Sequence, residues 1–215
     1  MPSRLERIIE LMHCCGDASL ATLSQAVSGF PYASALAFAP DPQHRAILLM
    51  SRLAEHTQNL GVDSRASLLV REPVSGADVA RLTMVGHVVP LAAQPLLLAR
   101  YLRYQPEAEQ FAQLGDFHFF CLEPQKIRVI GGFAQAGWLE GERLRDVPSL
   151  SLEDEAEMLA TLAARCPADL RLLGIDAYGF DYVRQEQRRR ASFSSGPVLA
   201  ATLDATMTRT LARLK

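Results

Sequence analysis

The pattern of apolar and polar positions predicts one amphipathic helix followed by a run of strands. Apolar residues recur at helical spacing from Arg4 to Cys14, and Gly16-Asp17 ends this helix. Because the following strands come in runs, and not in alternation with long helices, they predict a closed antiparallel barrel with peripheral helices. Segments that alternate apolar with small or polar residues are predicted as its strands: 18–23, 32–38, 45–50, 67–71, 79–89, 118–122 and 127–133.

Turn-forming residues and one glycine add detail to the predicted barrel. Glu123-Pro124-Gln125 predicts a hairpin loop between the last two strands, and Gly86 predicts a bulge or a close approach of backbone or ligand. Helices are predicted for residues 92–104 and, more briefly, from Pro106 onwards. We expect these helices to lie outside the barrel.

The order of the predicted helices and strands changes near residue 147. Ser151 followed by Asp154 is typical of a helix start, and Pro167 ends the helix that follows. Three strand-like segments and a last helix come next: 170–178, 180–185, 188–193 and 198–214. The predicted fold is therefore α+β, with an antiparallel barrel domain at 1–146 and a small α+β domain at 147–215.

Composition and charge argue against several classes of protein. The chain has 215 residues and a formal net charge of -2, which argues against a dedicated nucleic-acid binder. Its apolar runs are far shorter than the ~20 residues of a membrane span, so we predict a cytoplasmic protein with no membrane partner. The four cysteines show neither CxxC spacing nor a neighbouring histidine cluster, so no metal site and no disulfide framework is predicted.

The segment 48–60 carries the first candidate chemistry. An apolar strand ends at Ser51 and Arg52, and a short helix with His56 follows. Helix N-termini present unpaired N–H groups and a partial positive charge, so a hydroxyl, a guanidinium and an imidazole gathered there suit a phosphate. The alternative, a plain strand-to-helix connection with polar capping, stays open.

The order of these pieces resembles the FMN-binding split β-barrel superfamily, which includes pyridoxamine 5'-phosphate oxidase. The closer resemblance is to its haem-utilisation or haem-degrading branch. The C-terminal part looks like the small domain often fused to this branch. The segments that carry the resemblance are LLMSRLAEHTQNL (48–60), ARLTMVG (80–86), DFHFFCLEP (116–124), IRVIGGFAQA (127–136), GIDAYGFDYVR (174–184) and FSSGPV (193–198).

The resemblance implies FMN as cofactor and a homodimer that builds the site across its interface. The FMN phosphate contacts then fall on Ser51, His56 and Thr57, with Arg81 and Thr83 closing round them. His56 stands where many relatives have lysine, which leaves a weaker, pH-dependent charge. The implied function is a flavin-dependent oxidoreductase of unknown substrate, and the sequence names no catalytic acid or base.

Two other functions stay open on the same barrel, namely a haem-binding or haem-degrading protein and a non-enzymatic dimeric binding module. The resemblance implies an iron-ligating histidine in the C-terminal part, yet no histidine follows His118. His87 and His118, both on predicted strands, are the remaining candidates, and we expect weak haem binding at most. The run Arg188-Arg189-Arg190 is interpreted as a solvated face.

Overall fold

The structure is a computed structural model that describes residues 3–72, 79–131, 136–194 and 196–214. Residues 132–135 and 195, which belong to two of the segments quoted above, lie outside this range. The α-helices are α1 (Arg4–Cys14), α2 (Glu55–Val62), α3 (Pro95–Tyr104), α4 (Glu109–Ala112), α5 (Leu152–Ala163) and α6 (Ala200–Ala212). The strands are β1 (Asp17–Leu23), β2 (Pro31–Pro40), β3 (Ala46–Ser51), β4 (Arg65–Arg71), β5 (Arg81–Pro90), β6 (Phe117–Ile130), β7 (Ala136–Glu140), β8 (Leu170–Asp176), β9 (Gly179–Arg184) and β10 (Gln187–Ser192).

The first six strands close into an antiparallel barrel. Their order is β3-β2-β1-β4-β5-β6, and β3 also pairs with the first half of β6, while β7 pairs with the second half of β6 on the same edge. Alternation places Leu82, Met84 and Val88 of β5 in the apolar interior, and leaves Thr83 and Val85 half-buried on the outer face. The predicted barrel is confirmed.

Two helices contribute to the barrel core. Helix α1 begins with a capping box between Ser3 and Glu6, and it places Ile8, Leu11 and Met12 in the barrel core. Helix α2 contributes Leu60 to the same core. The bounds of α1 are those predicted from its apolar spacing and from the Gly16-Asp17 stop.

The predicted hairpin at Glu123-Pro124-Gln125 is wrong. Strand β6 runs without interruption through these residues, and its register against β5 shifts there, with Gln125 as the extra residue of a bulge. Proline has no N–H to donate to the ladder, so a bulge accommodates Pro124. The prediction for Gly86 is confirmed, since an added Cβ would lie 2.0 Å from the Glu123 carbonyl oxygen. Strand β7 was not predicted.

The second sheet has the order β10-β9-β8 and its own apolar cluster, which includes Leu162, Phe180 and Met207 of α5, β9 and α6. Helix α3 lies between this sheet and the outer face of the barrel, because a further apolar cluster joins it to both. The members of that cluster are Ala39, Ile47, Leu97, Tyr101, Tyr104, Phe119 and Leu173. The division at residue 146 stays a prediction. Among the described residues, no helix combines the length and the apolar character needed to cross a membrane.

Candidate functional site

Ser51 lies at the end of β3, where the predicted phosphate site begins. Its hydroxyl donates to Asp116 Oδ2 at 2.6 Å and accepts from the Leu53 N–H at 3.0 Å. The Ser51 hydroxyl, which was predicted to donate to the phosphate, therefore donates to a carboxylate. Glu55 adds a second negative charge in the first turn of α2. Two carboxylates beside an anion are unfavourable, so this position fits a phosphate poorly.

His56 and Thr57 lie on the first turn of α2, close behind Ser51 in the chain. His56 Nδ1 is 3.1 Å from Ser34 Oγ on β2, and burial lowers the pKa of His56, which favours a neutral imidazole near pH 7. The Thr57 hydroxyl is buried and has no hydrogen-bond partner among the residues that the structure describes. Thr57 is the one feature of this turn that points to a ligand.

Arg81 and Thr83 lie on β5, at a different level of the barrel. Thr83 pairs with Leu69 of β4, which in turn pairs with Ser19 near the start of β1. Helix α2, by contrast, bonds to the end of β1, since Asn59 Nδ2 donates to Thr22 Oγ1 at 3.0 Å. The structure thus brings Ser51, His56 and Thr57 together, and it does not bring Arg81 and Thr83 to them within one chain.

An apolar pocket of about 390 Å³ lies between α3 and the adjoining strands. Its lining residues are Leu49, Leu91, Ala93, Gln94, Pro95, Leu98, Ala112, Phe117, His118 and Phe119. His118 is exposed, and it pairs with Met50 across the β3–β6 ladder. Pockets of this volume with apolar walls and one polar group are typical of small-molecule sites.

The arginine run is not a solvated face, and that interpretation is wrong. Arg190 is 2% exposed and donates to Asp181 Oδ1 at 2.8 Å and Asp176 Oδ1 at 2.7 Å. Arg188 donates to the Cys15 carbonyl oxygen at 2.6 Å. Only Arg189 of the three is exposed. Asp181 faces Arg190 across the β9–β10 ladder, whereas Cys15 is 173 positions from Arg188, so the run itself gave no sign of that contact.

These arginines border a polar cluster that sequence reasoning missed. The polar cluster consists of His13, His44, Tyr104, Asp176, Asp181 and Arg190, and it lies where the second sheet meets α1 and the barrel. Burial lowers the pKa of His44 to about 3. Burial alone would raise the pKa of Asp176, but Arg190 and His13 hold it below its usual value. The available signal was Asp176 and Asp181 in the GIDAYGFDYVR segment, which we used only to identify the domain.

His44 reaches the polar cluster through a strained hairpin. It lies between β2 and β3 with φ +62°, in the left-handed region. Asp41 holds this turn, because its Oδ1 accepts from the Gln43 and Arg45 N–H groups, each at 2.8 Å. The strain of His44 is therefore offset by a turn that directs its ring inward, where it is fully buried.

Comparison with protein families gives one match that spans most of the chain. The family model described as CREG, beta-barrel, matches residues 9–144. The chloroplastic heme oxygenase HOZ of Arabidopsis thaliana is 34% identical over 130 residues, which are 60% of this chain and 40% of that protein. The chain thus spans less than half the length of this curated relative. The resemblance to the split-barrel superfamily is confirmed.

Solved structures of two further proteins share the fold over nearly the whole chain. A protein of unknown function from Agrobacterium tumefaciens has a TM-score of 0.75 at 22% identity, covering 97% of this chain and 94% of its own. A heme binding protein from Mycobacterium smegmatis has a TM-score of 0.62 at 23% identity, covering 99% of this chain and 98% of its own. Identities this low show the fold alone.

Proposed function

We propose that this chain, which belongs to the CREG β-barrel family, is a haem-binding protein whose ligand lies in the apolar pocket beside His118. One similar protein, the chloroplastic protein of Arabidopsis thaliana, is named a heme oxygenase. The predicted phosphate site, in contrast, holds two carboxylates and a neutral imidazole. Both facts favour haem over a phosphate-anchored flavin.

The observation that carries the proposal is an exposed imidazole at an apolar pocket. Haem requires apolar walls for the porphyrin and an axial ligand for the iron, and histidine is a common one. His13 and His44 are fully buried in the polar cluster. His87 Nδ1 is 2.8 Å from Ser64 Oγ, and His56 Nδ1 is near Ser34. His118 is therefore the histidine best placed to ligate iron.

The chain's own residues have separate tasks in this proposal. Leu49, Leu98 and Phe119 cover apolar surface and keep water from the ligand, while His118 holds and orients it. Bound haem iron supplies redox chemistry, and the protein tunes it through the axial ligand and the polarity of the pocket. We leave the reaction unassigned, because no acid or base has been identified beside the pocket.

We expect haemin to bind saturably, at one molecule per chain, with a sharp shift of its Soret band. His118→Ala removes the proposed iron ligand and should lower the affinity by at least about tenfold, since even second-layer residues of metal sites typically contribute about 10–100-fold. His87→Ala is the matched control and should bind as the parent does. A broad, non-saturating change, or equal binding by His118→Ala and the parent, would refute the proposal.

FMN is the second candidate, and the unpaired Thr57 hydroxyl is the observation that favours it. Because Arg81 and Thr83 lie at another level of the barrel than α2, this function requires a homodimer in which one protomer supplies them to its partner. Arg81→Ala should then weaken FMN binding about tenfold, measured by quenching of flavin fluorescence. A strictly monomeric species in light scattering at micromolar concentration, or unchanged FMN affinity, would exclude this candidate.

A further inference from the structure

We propose that His13, His44 and Asp176 form a binding site for a divalent transition metal ion, which joins the second sheet to the barrel. The three residues come from α1, the β2–β3 hairpin and β8, and their ligand atoms all lie within 4.8 Å of one another. Their exposures are 0%, 0% and 1%, so bulk water does not compete for these atoms. The site is independent of haem or flavin binding.

Two buried polar atoms of the polar cluster make no hydrogen bond among the described residues. His13 Nδ1 is 2.5 Å from Asp181 Oδ2, and a carboxylate accepts, so His13 carries its proton on Nδ1. His13 Nε2 lies 2.8 Å from His44 Nδ1, so this contact between the two rings uses Nδ1 of His44 and leaves its Nε2 on the other side of the ring. Neither this nitrogen nor Asp176 Oδ2 has a hydrogen-bond partner among the described residues. Two buried polar atoms without partners are costly, and an ion bound by the Asp176 carboxylate and the imidazoles would remove part of this cost.

The groups around the three ligands orient them as metal sites require. Arg190 donates to Oδ1 of both aspartates, and the Tyr178 N–H donates to Asp176 Oδ1 at 2.7 Å. Asp176 Oδ2, which lies 3.6 Å from His13 Nδ1, makes no hydrogen bond among the described residues. Tyr104 donates to Asp181 Oδ2 at 2.5 Å. A carboxylate that fixes the proton of a ligating histidine, as Asp181 does for His13, is the usual second layer of such a site.

The ligand set selects the class of ion. Two imidazole nitrogens and one carboxylate oxygen suit Zn²⁺ and similar transition metals, whereas Ca²⁺ and Mg²⁺ prefer oxygen ligands throughout. A cavity of about 260 Å³ lies beside the polar cluster, since Arg190 and Tyr178 are among its lining residues.

Cobalt titration tests the site, because bound Co²⁺ has visible absorption bands that report nitrogen and oxygen ligands. The full chain, first dialysed against a chelator, should bind one Co²⁺, and one Zn²⁺ should displace it. His44→Asn retains a residue that tolerates positive φ and should lower the cobalt affinity roughly 100-fold or more, as loss of a ligand exceeds the 10–100-fold loss for second-layer groups. His87→Asn is the matched control and should bind like the parent.

Two results would overturn the proposal. The first is a parent protein that shows no saturable cobalt bands, which would mean that the polar cluster is held by hydrogen bonds and buried water alone. The second is a folded His44→Asn variant that binds Co²⁺ as tightly as the parent. Circular dichroism of each variant shows whether it folds. If His44→Asn does not fold, the metal content and cobalt titration of the parent still decide the question.

Discussion

Replacing Arg190 with methionine should lower the free energy of unfolding by about 3–5 kcal/mol, the usual cost of removing one partner from a buried ion pair. The side chain is 2% exposed and bonds to Asp176 and Asp181, which are themselves buried. Methionine fills similar space but leaves both carboxylates without this cation. Urea unfolding followed by circular dichroism, with a chelator present, measures the change.

Arg189→Met is the control for this change, since Arg189 is the exposed neighbour on the same strand. We expect it to alter stability by no more than about 0.5 kcal/mol, as is usual for surface substitutions. Equal effects of the two variants would mean that the polar cluster contributes little to the stability of the chain.

A second large loss is expected for Glu155→Gln, again about 3–5 kcal/mol. Glu155 on α5 is 1% exposed, and its carboxylate pairs closely with Arg100 and accepts from Arg103 at 3.0 Å and from the Ile175 N–H at 3.0 Å. Glutamine has nearly the same shape but lacks the charge, so the fully buried Arg100 guanidinium loses its counter-ion.

Glu157→Gln is the matched control, because Glu157 is an exposed residue of the same helix. Its stability in urea should equal that of the parent. If Glu155→Gln unfolded at the same urea concentration as this control, then Arg100 would have sufficient stabilisation from its other bond, to the Pro40 carbonyl oxygen at 2.8 Å.

The fold was predictable where local signals agree with the final structure. The bounds of α1 followed from its apolar spacing and the Gly16-Asp17 stop, and the alternation in β5 was sufficient for a barrel strand. Glu123-Pro124-Gln125 led to a wrong prediction, because residues that are typical of a turn also occur at a bulge in a long strand. Distinguishing the two requires knowledge of the neighbouring strand, which the local pattern does not contain.

The polar cluster was not predictable for a related reason. His13 and Asp181 are separated by 168 positions in the chain, and His44 reaches them only through its unusual backbone angle. Each residue, taken alone, resembles an ordinary polar residue of a helix, turn or strand. The candidate phosphate residues on 48–60 do lie together, because a single strand and helix carry them. The neighbouring Asp116, which changes their chemistry, comes from β6.

The position of α3 between the barrel and the second sheet has a consequence for protein engineering. One flank of the barrel, with Ile47 and Phe119, meets α3, and the same helix carries Arg100 and Arg103, whose counter-charge Glu155 belongs to α5. A barrel cut free as a scaffold would therefore present unbalanced arginines together with newly bare apolar surface. Designing a soluble stand-alone version requires redesign of α3 as well as of the cut end.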